Sequence, residues 1–143
     1  MTTQTLTRGQ LERNLSQQIQ SLYRIQLGHQ PSKVTCQLFD EKLAIIIENS
    51  VTQPEQLLAE EGKLELAEQV RADLDQAMRP QLRSLVETEL GVTVLDLLSD
   101  ATLETGRTGM IVVLENSPPV RQSSSGRKGV NQESDSEVKA KQT

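Results

Sequence analysis

The hydrophobic period of this chain switches from that of a helix to that of a strand within a few residues, and this limits the fold more than any other feature. From Thr7 to Leu27 the apolar residues fall at Leu11, Leu15, Ile19, Leu22 and Ile25 or Gln26. Steps of three and four trace one helix face. Gly28 and then Pro31 follow, the usual order at a helix C-terminus, so the first helix ends near Leu27. From Lys33 to Asp40 the period is two: Val34, Cys36 and Leu38 point one way, and Thr35, Gln37 and Phe39 the other. After the polar break Asp40-Glu41, the β-branched run Leu43–Glu48 completes a hairpin. That second strand is apolar on both faces, which places it inside the sheet.

Helical signals then return. Thr52 before Pro54 and Glu55 reads as an N-cap, with proline and a first-turn acid opening a short helix from Pro54 to about Glu60 that stops at Gly62. A longer helix begins at Lys63 with Leu66, Val70, Leu74 and Ala77 or Met78 on its stripe. Pro80 removes a backbone donor and clashes with the preceding turn, so a kink or two abutting helices are expected there. Leu82, Leu85, Val86 and Leu90 resume the stripe before Gly91 ends it. Two more strands, Val92–Leu98 and Thr108–Glu115, are joined by a polar connection from Ser99 to Arg107. The predicted fold is α+β, in the order α-β-β-α-α-β-β, with helices packed on a mostly antiparallel four-stranded sheet. Its limits are set at residues 10–115, after a flexible N-terminus of residues 1–9. From Asn116 to Thr143 there is no periodicity and little to bury, so a disordered tail is expected.

Composition narrows the chemistry. Tyr23 and Phe39 are the only aromatic residues among 143, so Leu, Ile and Val must supply the core. Each such side chain contributes roughly 1.5–3 kcal/mol on burial. The want of stacking rings also argues against single-stranded nucleic acid as a ligand. Net charge is −5, but residues 116–143 hold five basic against three acidic residues, which leaves −7 for the rest. Such a surface repels phosphate backbones and anionic lipid, so neither nucleic acid nor membrane insertion is expected. No apolar run approaches the roughly 20 residues of a membrane span. Met1–Thr5 lacks a basic start before an apolar stretch, and the expected compartment is the cytoplasm.

No reactive constellation stands out. The only histidine, His29, lies in a turn, and the only cysteine, Cys36, lies in mid-strand; they read as a turn histidine and a small core thiol. One of each cannot furnish a zinc site, and a nucleophile lacks its base. Acidic groups are the one abundant resource, and Asp96, Asp100 and Glu104 recur around the end of the third strand. Oxygen ligands of that kind suit hard cations, but their spacing fits no calcium loop and a solvated loop is the plainer reading. The expectation is a non-enzymatic chain with no cofactor.

Several segments in order resemble the MpsC family, named for a Na+-translocating, membrane-potential-generating system. They are the helix into Gly28-His29-Gln30-Pro31-Ser32-Lys33-Val34, the hairpin into Leu43–Glu48, Thr52-Gln53-Pro54-Glu55 with Leu57-Leu58-Ala59, Val70-Arg71, Arg79-Pro80, and Leu90-Gly91-Val92 leading to Leu98-Ser99-Asp100. The resemblance spans roughly residues 10–115. It implies a soluble accessory protein beside membrane proteins that move cations or support inorganic-carbon uptake. His29 and Gln30 depart from the Gly-x-Gly-Pro that often opens the turn in the family, and no catalytic residue carries over. Two functions are therefore carried forward. One is an accessory protein bound to a protein partner such as a membrane transport complex; the other is a cytoplasmic ligand- or cation-sensing module acting on soluble partners through Asp96, Asp100 and Glu104. A homodimer is also expected, because the helices carry more apolar stripe than one small sheet face needs.

Overall fold

The computed structural model describes residues 5–121. Its elements are α1 (Arg8–Leu27), β1 (Lys33–Phe39), β2 (Lys42–Glu48), α2 (Gln53–Glu60), α3 (Leu64–Leu90), β3 (Val94–Thr102) and β4 (Arg107–Leu114). The order and the α+β class are those expected. All four strands pair antiparallel in the spatial order β1-β2-β4-β3, so β2 is interior, as its two apolar faces require. Helix α1 packs over β1, α3 over β3, the two helices touch, and α2 packs on α3. The core lies between this helical layer and one face of the sheet. Leu15, Ile19, Leu43, Ile45, Ile47, Val86 and Val112 are buried there almost without residue.

Local details correct the sequence reading at four places. Helix α1 buries Leu11, Leu15, Ile19 and Tyr23, an unbroken step of four, and leaves Ile25 exposed. Tyr23 thus takes the place assigned to Leu22 and Ile25. On α3 the buried stripe is Ala67, Arg71, Met78, Leu82, Val86 and Leu90, while Leu66 is exposed. Helix α3 continues through Pro80 as one element of 27 residues. Proline denies the Gln76 carbonyl its donor, but residues on both sides are held by core contacts, and Pro80 itself faces solvent. Finally, β3 runs on to Thr102, so Asp100 belongs to a strand and only residues 103–106 turn the hairpin. Gly106 adopts a φ of 72° there, the left-handed conformation that glycine takes without strain.

The domain also reaches past the limits that periodicity marks. Thr7 caps α1 in a reciprocal capping box with Gln10. Arg121 donates its backbone N–H to the Leu6 carbonyl at 2.8 Å, and Leu6 and Val120 both pack against the core. The disordered tail is expected from Asn116, but residues 116–121 are placed, with Val120 against the core and Arg121 bonded to Leu6, and the remainder from residue 122 lies outside the described residues.

Side chains engage part of both outer edges of the sheet. On β1, the Leu38 N–H donates to Glu12 Oε2 of α1 at 2.8 Å. On β3, Glu87 of α3 accepts from the Val94 N–H, while Arg83 and Arg79 donate to the Val94 and Leu97 carbonyls. Asp96 and Asp100 each accept the backbone N–H of the following residue, at 2.9 Å. Edge groups occupied in this way offer little to an incoming strand. The opposite sheet face is covered by no element, and Phe39, Ile46, Leu98 and Ile111 are exposed on it.

Pro80 gives a test of how the helix is held. Replacing Pro80 with Ala restores a donor and removes a clash, so urea unfolding should show a stability gain of about 1–3 kcal/mol. A loss would mean that the proline geometry is itself required by the packing of Arg79 and Arg83 on β3.

Candidate functional site

A cleft of about 570 Å³ opens between the first half of α3 and the β3–β4 hairpin. Leu64, Glu68, Arg71, Ala72 and Asp75 form the helix wall, and Asp100, Ala101, Thr102, Leu103 and Glu104 the hairpin wall. The placement follows from local structure. Residues 64, 68, 71, 72 and 75 recur at helical spacing on one side of α3, and the hairpin turn stands over them because Ser50 holds it. The Ser50 N–H donates to the Gly106 carbonyl at 2.8 Å, and its hydroxyl lies 2.8 Å from that of Thr108.

Beneath the cleft is a buried cluster of charges. Arg71 is only 4% exposed and Glu55 not at all. Arg71 Nη1 donates to the Ser50 carbonyl at 2.8 Å. Its Nε lies 3.3 Å from Glu55 Oε1, and its Nη2 3.4 Å from Asp75 Oδ1. The second oxygen of Glu55 accepts from the Thr52 N–H at 3.0 Å and from the Thr52 hydroxyl at 2.8 Å. One guanidinium thus joins the start of α2, the segment that precedes it, and the middle of α3. The two ion pairs are close enough for strong attraction in a dry interior, but they lack hydrogen-bond alignment. Glu55 Oε1, Arg71 Nε and Nη2, Asp75 Oδ1 and the Tyr23 hydroxyl are therefore buried without a hydrogen-bond partner among the described residues.

The cluster holds two carboxyl groups and one cation, and the excess tells on Asp75. Burial raises its pKa above the ordinary carboxylate value; Arg71 opposes the shift, and Glu55 adds to it. Burial likewise raises the Tyr23 phenol, with Asp75 reinforcing the effect. A proton on Asp75 would leave a balanced Glu55–Arg71 pair and supply a donor where none is now placed.

The three acidic residues singled out in the sequence do not form one group. Asp100 and Glu104 share the cleft, whereas Asp96 lines a separate depression with Gln76, Arg79, Pro80, Arg83, Leu95 and Leu97. Asp96 and Asp100 spend one oxygen each on the β3 edge. Among the described residues, no three of His, Cys, Asp and Glu are arranged to hold a metal ion. His29 Nε2 donates to the Asn49 carbonyl at 2.8 Å, which ties the α1–β1 turn to the end of β2. Cys36 is buried, and that burial pushes its thiol up to about 11. Sequence reasoning missed Arg71, Glu55, Asp75 and Tyr23. The available signal was Arg71 itself, a charged residue four positions after Ala67 and seven before Met78 on the buried stripe.

Stability should record the strained carboxyl. A carboxyl whose folded pKa lies above its unfolded value binds more protons when folded, so it weakens the fold as pH rises through the interval between the two values. Asp75→Asn should therefore gain stability relative to the unaltered protein across that interval, with a constant difference above it. Chemical denaturation at a series of pH values measures this, and a pH-independent difference would show that Asp75 is not displaced from ordinary titration.

Comparison with known proteins gives one match. The family model described as Na+-translocating membrane potential-generating system (MpsC) matches residues 7–116. No curated protein and no solved structure matches the chain.

Proposed function

Since that match takes in most of its length, the chain belongs to the MpsC family, and from this premise we propose a non-enzymatic accessory or regulatory protein of a cation-translocating membrane system. Among the described residues no helix is long and apolar enough to cross a membrane. In this reading the domain therefore acts from the water phase, on the parts of a membrane protein that protrude from the bilayer.

The observation that carries the reading is the acidity of the cleft. Glu68, Asp100 and Glu104 line it as acids outside the buried pairs, while Arg71, its one basic residue, is engaged by Glu55 and Asp75. The approach is acidic too: Glu60, Glu61 and Glu65 stand exposed where α2 passes into α3. The cytoplasmic loops of membrane proteins carry an excess of Lys and Arg. A basic juxtamembrane segment is thus the partner chemistry that such a cleft attracts, and steering by charge would speed the encounter at low salt. The apolar stems of those side chains would lie on Leu64, Ala72 and Leu103.

A second reading keeps the same cleft and replaces the basic segment with a small cationic ligand, for which a volume of about 570 Å³ is large enough. The protein would then be a cytoplasmic sensing module.

Affinity capture of the tagged full-length chain from gently solubilised native membranes separates the two. The accessory reading expects a membrane transport subunit in stoichiometric yield. Asp100→Lys with Glu104→Lys should reduce that yield more than about tenfold with the melting temperature unchanged. Soluble partners alone, or capture indifferent to the charge reversals, would set the membrane reading aside.

A further inference from the structure

We propose that the uncovered face of the sheet pairs with the same face of a second copy of this chain, about a two-fold axis that runs along the strands. The face is built from the register. One row across the sheet is Gln37, Ala44, Ile111 and Leu98; the rows on either side are Thr35, Ile46, Gly109, Asp100 and Phe39, Lys42, Val113, Asp96. Ala44, Ile46, Ile111 and Val113 adjoin on the two central strands, Phe39 and Leu98 extend the apolar area onto the edge strands, and Thr35, Gln37, Lys42, Asp96 and Asp100 surround it. Phe39, Ile46, Leu98 and Ile111 are 43%, 41%, 55% and 38% exposed. Ile46 reaches across Gly109, where a Cβ would stand 3.5 Å from its Cδ1, so the middle of the face is filled rather than hollow. An apolar centre within a polar rim is the anatomy of a protein interface.

Three observations favour a second copy as the occupant. First, both edges are partly engaged. Glu12 on β1 and Arg79, Arg83, Glu87, Asp96 and Asp100 on β3 occupy outward backbone groups, which disfavours extension of the sheet by a second copy relative to packing on the face. Second, the charges suit a two-fold axis along the strands. That operation lays β2 over the partner copy's β4 and β1 over its β3. Glu48 and Arg107, already paired at 2.7 Å within one chain, then each face the opposite charge in the other copy. Lys42 comes beside the strand that carries Asp96. An axis across the strands would instead stack Asp96 on Asp100. Third, the size fits a dimer of modest strength. Seven residues along and four strands across make a face of roughly 23 by 20 Å. Corrugated by side chains, it approaches the low end of the range around the standard of about 800 Å² per partner. Sheets meeting in this way pack about 10 Å apart with strands within about 30°.

The dimer thus arises from the sheet and not from surplus apolar surface on the helices. Asp100 borders both this face and the acidic cleft, whereas Ile46, Leu98 and Ile111 do not line the cleft.

Sedimentation velocity of the full-length chain across the micromolar range tests the proposal. The expected result is a concentration-dependent rise toward twice the monomer mass, abolished by Ile111→Asp with the circular dichroism spectrum retained. Should that variant fail to fold, a cross-link decides. Gln37→Cys and Leu98→Cys lie on opposite edge strands of one sheet, on the same face, but oppose each other across the dimer. A short bis-maleimide linker should join a mixture of the two variants at least about tenfold more than either variant alone. Cys36, buried and with its thiol raised to about 11, does not compete. A monomer at every concentration overturns the proposal and leaves the face to a different protein. A dimer insensitive to Ile111→Asp, or cross-linking no better in the mixture, overturns it as well.

Discussion

A single buried guanidinium holds together the half of this domain that the sheet does not. Helix α2 is short, eight residues, and has few buried apolar contacts of its own; Glu55 is its only fully buried side chain. A helix of that length is marginal without tertiary support. Arg71 provides it by pairing with Glu55, donating to the Ser50 carbonyl and standing next to Asp75 on its own helix. Removing one partner from such a group leaves a buried charge uncompensated, at a cost of about 3–5 kcal/mol. The same contacts set the floor of the cleft and the position of the helix wall from Leu64 to Asp75. The elements that give the cleft its shape are therefore those that depend on the charge cluster.

The rest of the architecture rests on a different division of labour. Helices α1 and α3 bury their stripes on one face of the sheet, and polar side chains from those same helices reach past it to occupy the strand edges. Glu12, Arg79, Arg83 and Glu87 serve this second purpose. A two-layer fold of this kind has one apolar face left over. With the edges partly engaged, that face is the largest surface of the sheet left free for association. The molecule then has two surfaces of different chemistry that meet at Asp100: one largely apolar, the other negative.

The fold was largely legible because periodicity reports burial directly. The alternation of Val34, Cys36 and Leu38 and the doubly apolar run Leu43–Glu48 placed a hairpin with β2 inside the sheet, where it is found. Periodicity failed where a buried residue is polar or an exposed one apolar. Arg71 occupies a core position that hydropathy assigns to water, and Leu66 does the reverse. Local propensity marks Pro80 as an interruption, whereas burial of Met78 and Leu82 on either side carries the helix through it. The site was legible only in part. Asp100 and Glu104 do line the cleft, but Asp96 does not. The buried cluster beneath it comprises Tyr23, Glu55, Arg71 and Asp75, drawn from three helices and separated by up to 52 positions. No local spacing connects residues so distant in the chain.

The role of Arg71 as the clamp is the central claim, and amide hydrogen exchange of an Arg71→Met variant tests it most directly. Exchange reports opening free energies segment by segment. If the cluster holds α2 and the first half of α3, protection should fall about a hundredfold or more from Gln53 to Asp75. The sheet, α1 and the segment Leu82–Leu90 should keep their protection. Unchanged protection in α2, or an even loss across the whole sheet, would contradict the account, because the cluster would then be either incidental or part of one undivided core.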